Sequence, residues 1–155
     1  LPDLKYYSPI LSRRYSQAED YFAVASRAVE QMIRLTGPPE FGEYKDKRSG
    51  TACSILRKGV IIRHMVLPRH KDDSIRLLYW MKDTLPKGGF LISLMSQYTP
   101  FYRSADYPEI NRRITTYEYE KVLNTAIELG LTDGFMQEKS SAKEEYTPPF
   151  ELEGL

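Results

Sequence analysis

Two unbroken apolar runs constrain this chain more than any other feature. Gly59-Val60-Ile61-Ile62-Arg63-His64-Met65-Val66-Leu67, ended by Pro68, is apolar apart from one basic pair. Phe90-Leu91-Ile92-Ser93-Leu94-Met95 repeats the pattern. A strand apolar at consecutive positions is buried on both faces, and such strands belong to parallel sheets. Parallel neighbours need a crossover. The intervening segment supplies one, a helix carrying Ile75, Leu78, Trp80, Met81 and Leu85. Asp72 and Asp73 cap it, with their acids at the positive end of its dipole.

The remaining segments continue the alternation. Leu1-Pro2-Asp3-Leu4-Lys5-Tyr6-Tyr7-Ser8 reads as the end of a buried strand with an Asp-x-Lys pair at its mouth. So short a strand needs sheet neighbours on both sides, and the chain is expected to be the C-terminal part of a larger protein. Ser8-Pro9 starts a short turn. Ser16 and Glu19 are spaced as a capping box. Tyr21, Val24, Ala25, Ala28, Val29, Met32 and Ile33 then form one apolar stripe, closed by Gly37-Pro38. Residues 39–58 are polar and irregular, a hairpin or a loose loop. Thr115 and Glu118 make a second capping box, ahead of a helix that buries Val122, Leu123, Ala126, Ile127 and Leu129 and ends at Gly130. Gly134-Phe135-Met136-Gln137 is a last short strand, and residues 139–155 form an extended tail. The order is strand, helix, strand, helix, strand, helix, strand. It predicts an α/β chain, one domain or part of one, with four parallel strands and crossover helices. Four such strands make about half of a barrel or one flank of an open sheet.

Composition excludes several classes. A chain of 155 residues, 41% hydrophobic and 28% charged, is long enough to bury a core. Lys and Arg number 22 against 21 Asp and Glu, so there is no net electrostatic drive toward nucleic acid or membrane. No apolar run approaches the roughly 20 residues of a membrane span. One cysteine, Cys53, supports neither an internal disulfide nor a cysteine metal cluster from this chain alone. The composition is that of a cytoplasmic protein. No GxGxxG, Walker A, HExxH, GxSxG or CxxC motif occurs.

Ligands of parallel α/β folds sit at the C-terminal ends of the strands, and polar residues gather there. Asp3 and Lys5 share one face and suit a zwitterion, or each other. Arg63 and His64 point to opposite faces. Arg63 either grips a ligand carboxylate or pairs within the sheet. His64 reads as a hydrogen-bonded core histidine and His70 as solvated. Gln97 and Tyr98 follow the third strand, as loop caps or as donors to a ligand. Gln137 and Glu138 end the last strand with the same ambiguity. Lys45, Lys47, Arg48, Arg57 and Lys58 read as a solvated loop, because Glu43 and Asp46 interrupt them.

An ordered set of these residues resembles a known group. It comprises Asp3-Leu4-Lys5-Tyr6, Arg63 through Pro68, Ile92 through Pro100, Tyr107-Pro108-Glu109-Ile110-Asn111-Arg112-Arg113, and Gly134 through Glu138 with Pro148-Pro149-Phe150. In order and spacing these are similar to the C-terminal half of radical S-adenosylmethionine (SAM) proteins related to pyruvate formate-lyase activating enzyme. The resemblance implies a partial (β/α)6 TIM-like barrel holding SAM and a [4Fe-4S] cluster. The cluster's ligands, a C-x-x-x-C-x-x-C loop, would lie in an N-terminal part ahead of Leu1. It implies an oxidoreductase that cleaves SAM to a 5′-deoxyadenosyl radical, which abstracts hydrogen from a glycyl radical enzyme or a small molecule. By position, Lys5 and Arg63 would contact SAM, Asp3 would sit near its methionine end, and Gln97 or Tyr98 near its adenosine. The 155 residues alone are expected to be inactive, with no catalytic residue and no metal ligand among them. The alternatives are a binding or scaffold module that has lost the cluster, and a barrel enzyme using Lys5 as a Schiff-base amine.

Overall fold

The computed structural model describes residues 1–45 and 52–136. The apolar runs become the strands β3 (Ile61–Met65) and β4 (Leu91–Met95), which pair in parallel with Arg63 beside Ser93. A third strand, β5 (Gly134–Met136), pairs in parallel with the other side of β4. Its start needs glycine: Gly134 has φ 148°, and a Cβ there would collide with the Ile92 carbonyl oxygen. The first residues join the opposite edge through a single parallel bridge between Asp3 and Arg63. The Leu4 amide donates to the Arg63 carbonyl, and the Arg63 amide donates to the Pro2 carbonyl, both at 2.9 Å.

The helices are α1 (Pro9–Ser16), α2 (Tyr21–Thr36), α3 (Lys71–Thr84) and α4 (Thr116–Glu128). The Ser8 hydroxyl caps α1, accepting from the Ile10 amide. Ser8-Pro9 thus opens a full helix instead of a turn. Ser16 is its last residue, so no Ser16–Glu19 box forms and α2 starts at Tyr21. On α2 the buried stripe runs through Ser26, Val29 and Ile33, while Val24 and Met32 face solvent. Core residues from α2, α3 and α4 pack against Leu4, Ile62, Ile92 and Leu94, which share one sheet face. Ile127, expected in this core, is exposed.

The expected half of a (β/α)6 TIM-like barrel is not what forms. Residues 40–58 make a separate antiparallel hairpin of β1 (Glu40–Lys45) and β2 (Ala52–Lys58). The parallel sheet is open and three-stranded, widened only by the Asp3 bridge. No closed or half-closed barrel exists among the described residues. The predicted first strand contributes only a bridge and β5 only three residues, too little pairing to curve the sheet toward closure. From β3 to β5 the strands alternate with helices and pair in parallel as the sequence predicts; ahead of β3 the order differs, with two helices and a hairpin following a first segment that forms only a bridge. The tail at 139–155 lies outside the described residues.

Two buried polar groups hold the layers in register. His64, 2% exposed, lies on the helix-facing side of β3. Its Nδ1 is 2.7 Å from the Leu4 carbonyl oxygen and its Nε2 is 2.9 Å from Ser74 Oγ. A carbonyl only accepts, so Nδ1 carries the proton and Nε2 of the neutral ring accepts from Ser74. One side chain thereby ties the first strand to β3 and to α3. Glu118, also buried, does the same for the loops. Its carboxylate takes both terminal nitrogens of Arg112 at 2.7 and 2.9 Å, the Arg69 amide at 2.7 Å, and the Thr115 amide and hydroxyl. The predicted Thr115–Glu118 capping box forms and is extended to the loop after β3.

His64→Ala should cost about 2–4 kcal/mol in urea denaturation, because two buried partners lose their bond. Burial holds the His64 pKa below the ordinary 6.5. Its neutral form therefore favours the folded state, with the stability complete above that value and lost as pH falls below it. The urea midpoint should fall more steeply on acidification in the wild type than in His64→Ala. Arg112 holds the Glu118 carboxyl well below the ordinary carboxylate range. Its contribution is present above the ordinary 4.5 and lost as pH falls further. Glu118→Gln should destabilise by about 1–3 kcal/mol at neutral pH, since a neutral amide replaces one acceptor with a donor. The difference from wild type should shrink below that pH.

Candidate functional site

The face of the parallel sheet opposite the helices carries Asp3, Lys5, Arg63 and Met65, with Met95 from β4 beside them. Strand alternation puts all of these on the side away from Leu4 and His64. The first strand is held at its end by four further bonds. The Asp73 carboxylate, in the first turn of α3, accepts from the Tyr7 and Ser8 amides at 2.9 Å each. The Tyr21 hydroxyl accepts from the Lys5 amide and donates to the Asp3 carbonyl. Asp72 and Asp73 thus lie in the first turn instead of capping the helix, and His70 is its N-cap.

At the C-terminal ends of the strands these residues line a cavity of about 330 Å³, together with Tyr6, Leu67, Gln97 and Tyr98. Arg63 Nε donates to Asp3 Oδ1 at 2.6 Å, with both side chains part-exposed. The bond lowers the Asp3 pKa, chiefly through the hydrogen bond from Arg63, and raises that of Arg63. The pair stays ionised and still has capacity. The guanidinium has donors beyond Nε, and the carboxylate has a second oxygen. Lys5 Nζ, the Gln97 amide and the Tyr98 hydroxyl make no side-chain hydrogen bond among the described residues, though the Lys5 charge adds to the lowering of the Asp3 pKa. A cavity lined by one ion pair and three uncommitted polar groups is suited to a small zwitterionic or polar ligand. A second hollow, of about 110 Å³ near Lys82, Lys87 and Asp133, lies at the opposite end of the sheet from the one where parallel α/β folds bind ligands.

All five residues singled out in the sequence, Asp3, Lys5, Arg63, Gln97 and Tyr98, meet in this one cavity. Their pairing differs from expectation in one respect: Asp3 bonds to Arg63 and not to Lys5. His64 is the hydrogen-bonded core histidine foreseen. His70 is not solvated. It is half-buried, and its Nε2 lies 2.7 Å from the Tyr15 hydroxyl. That hydroxyl donates to Glu109 Oε1 at 2.8 Å, where Arg14 also binds. Sequence reading missed this cluster because it joins residues up to 95 positions apart. Cys53 is exposed on β2, far from any cysteine partner in a chain that has none. Lys58 on β2 pairs with Glu40, Lys45 and Arg57 are exposed on the same hairpin, and Lys47 and Arg48 lie outside the described residues, as do Gln137 and Glu138. Among the described residues no group of three His, Cys, Asp or Glu could hold a metal ion. No described helix is long and apolar enough to cross a membrane.

Comparisons with known proteins are sparse. No protein-family model matches the chain, and no solved structure matches it. The chain is similar to an uncharacterised protein of Methanocaldococcus jannaschii, 41% identical over 69 residues. That stretch covers 43% of this chain and 20% of the archaeal protein, so the chain spans a small part of its relative's length.

Proposed function

We propose that this chain is the SAM-binding part of a radical SAM enzyme of the pyruvate formate-lyase activating type. The observation that supports it is the convergence of Asp3, Lys5, Arg63, Gln97 and Tyr98 on one cavity at the C-terminal ends of parallel strands. The donor set suits the ligand. The free nitrogens of Arg63 and Lys5 Nζ offer a bidentate and a point-charge contact to an amino-acid carboxylate. The second oxygen of Asp3 accepts from an ammonium group. Gln97 and Tyr98 present an amide and a phenol to a ribose or purine. When bound in that family, SAM is the source of the radical that abstracts hydrogen. Asp3 and Arg63 orient each other first, so the ligand meets a preset pair and loses less freedom on binding.

The residues do not fit an iron-sulfur cluster. Cys53 is the one cysteine in the chain, and it is exposed on the hairpin. Under this proposal the cluster ligands belong to sequence outside these 155 residues. The larger protein would be cytoplasmic, and its target a glycyl radical enzyme or a small molecule. The Schiff-base alternative is disfavoured because Lys5 is exposed beside the Asp3–Arg63 pair and lacks the apolar pocket that activates such an amine.

Titration of the 155-residue chain with SAM, followed by amide chemical shifts, should show weak binding, with a dissociation constant on the order of 1 mM. The shifts should centre on Asp3, Lys5, Arg63, Gln97 and Tyr98. Arg63→Ala should weaken binding by about tenfold or more, as expected for a lost charged contact of ~1.5–3 kcal/mol. Anaerobic reconstitution with iron and sulfide should give no [4Fe-4S] absorption. Shifts that miss these residues, or a stoichiometric cluster on this chain, would refute the proposal.

A further inference from the structure

A second cavity, of about 250 Å³, opens beside the first and shares Tyr6, Leu67 and Tyr98 with it. Its other walls are largely aromatic: Tyr15 and Tyr107 at the back, Phe101 and Tyr102 at the rim. The back wall is rigid. Tyr15 and Tyr107 meet edge to face with centroids 5.1 Å apart, and the Arg14 guanidinium lies over both rings at 5.8 and 5.3 Å. The hydroxyls of this wall are committed elsewhere. Tyr15 bonds to Glu109 and His70, Tyr107 donates to the Arg14 carbonyl, and Tyr6 pairs with Ser16. The back wall therefore offers ring surface, while Ser104, the Tyr98 hydroxyl and Arg103, which is paired with Asp106, are the polar groups that also line the cavity.

The rim faces solvent. Phe101 is 68% exposed and Tyr102 is 82% exposed. Tyr102 sits in left-handed backbone at φ 53°, a conformation that costs a non-glycine residue of order 1–3 kcal/mol. Strain of this kind concentrates at ligand clamps. Here it holds a large ring at the edge of a ring-lined hollow, where solvation gives it no return.

We infer that this pocket binds a planar aromatic ring carried by a small-molecule substrate, clasped between the fixed Tyr15–Tyr107 wall and the Phe101–Tyr102 rim. Flat faces and hydrogen-bonded, immobile walls favour stacking over hydrogen-bond readout. Tyr6, Leu67 and Tyr98 border both cavities, so the remainder of such a molecule lies toward the Asp3–Arg63 cavity. Joined, the two cavities fall in the range of ordinary small-molecule sites, ~300–1,000 Å³. Calling the ring's carrier a substrate rests on reading the neighbouring cavity as the SAM site; the ring pocket itself does not.

Indole, cyclohexylmethanol and N-acetyltryptophanamide are each titrated into the full chain without SAM, with amide and side-chain shifts recorded. Indole should shift Phe101, Tyr102 and Tyr107 and bind at least about fivefold more tightly than the non-planar alcohol. Tyr102→Ala, an exposed position whose loss spares the core, should weaken indole by a similar factor. Equal binding of indole and cyclohexylmethanol, or indole shifts unaffected by Tyr102→Ala, overturns the inference. N-acetyltryptophanamide binding well above indole overturns the small-molecule assignment in favour of a peptide. Because SAM is absent, these results stand or fall separately from the SAM titration.

Discussion

The structure depends first on the hydrogen bonds of His64. The strand formed by the first residues has only a single bridge to β3, too little pairing to hold a terminus on its own. A buried imidazole that donates to the Leu4 carbonyl and accepts from Ser74 fastens that strand from beneath. The Asp73 carboxylate and the Tyr21 hydroxyl then fasten it from the end. With the backbone of residues 2–5 set, Asp3 and Lys5 stand on the outer face beside Arg63. A polar group buried among Leu4, Ile62 and Val66 is expensive unless both ring nitrogens are satisfied, and here both are. The same bonds that lower the cost of burial set the register of the site.

A second constraint shapes the loops. The connections after β3 and β4 are irregular, and loops of this kind hold a shape only when their backbone groups find partners. Glu118 gathers five donors, from Arg69, Arg112 and Thr115, onto one carboxylate. Glu109 gathers Tyr15 and Arg14 onto another. These two acids, each in contact with an arginine, convert a long loop into fixed walls. The charge balance of the chain conceals this arrangement. The near-zero net charge hides the Arg14–Glu109 and Arg112–Glu118 pairs that fix these loops, while Lys5 lines the cavity with no hydrogen bond from its ammonium among the described residues.

The parallel sheet is covered by helices on one face only. A parallel sheet usually has both faces covered, and the apolar runs of β3 and β4 are consistent with that rule. Leu91 and Met95 are buried on the second face, yet Arg63 is exposed and Phe135 is 56% exposed. The Asp3–Arg63 cavity lies on the uncovered side. Function on this fold would use the face the helices leave free, at the strand ends where backbone and side-chain groups converge.

The sequence by itself determined the strand–helix alternation from β3 to β5, the parallel pairing of β3 with β4, and the shared face of Asp3 and Lys5. These follow from periodicity and from the two-residue alternation of a strand, which are local and survive without knowledge of distant partners. It determined the Thr115–Glu118 cap for the same reason. Tertiary structure alone decided the rest. β1 and β2 paired with each other where polar composition allowed a loop equally well, and the first segment made only a bridge, which left the parallel sheet open. The outward turn of Val24, Met32 and Ile127 depended on which face of each helix met the sheet. Asp3 chose Arg63 over the nearer-in-sequence Lys5 because the parallel bridge sets them side by side. His70, Tyr15 and Glu109 met across more than fifty residues of chain, and no local pattern encodes a contact that exists only once three separate elements have packed.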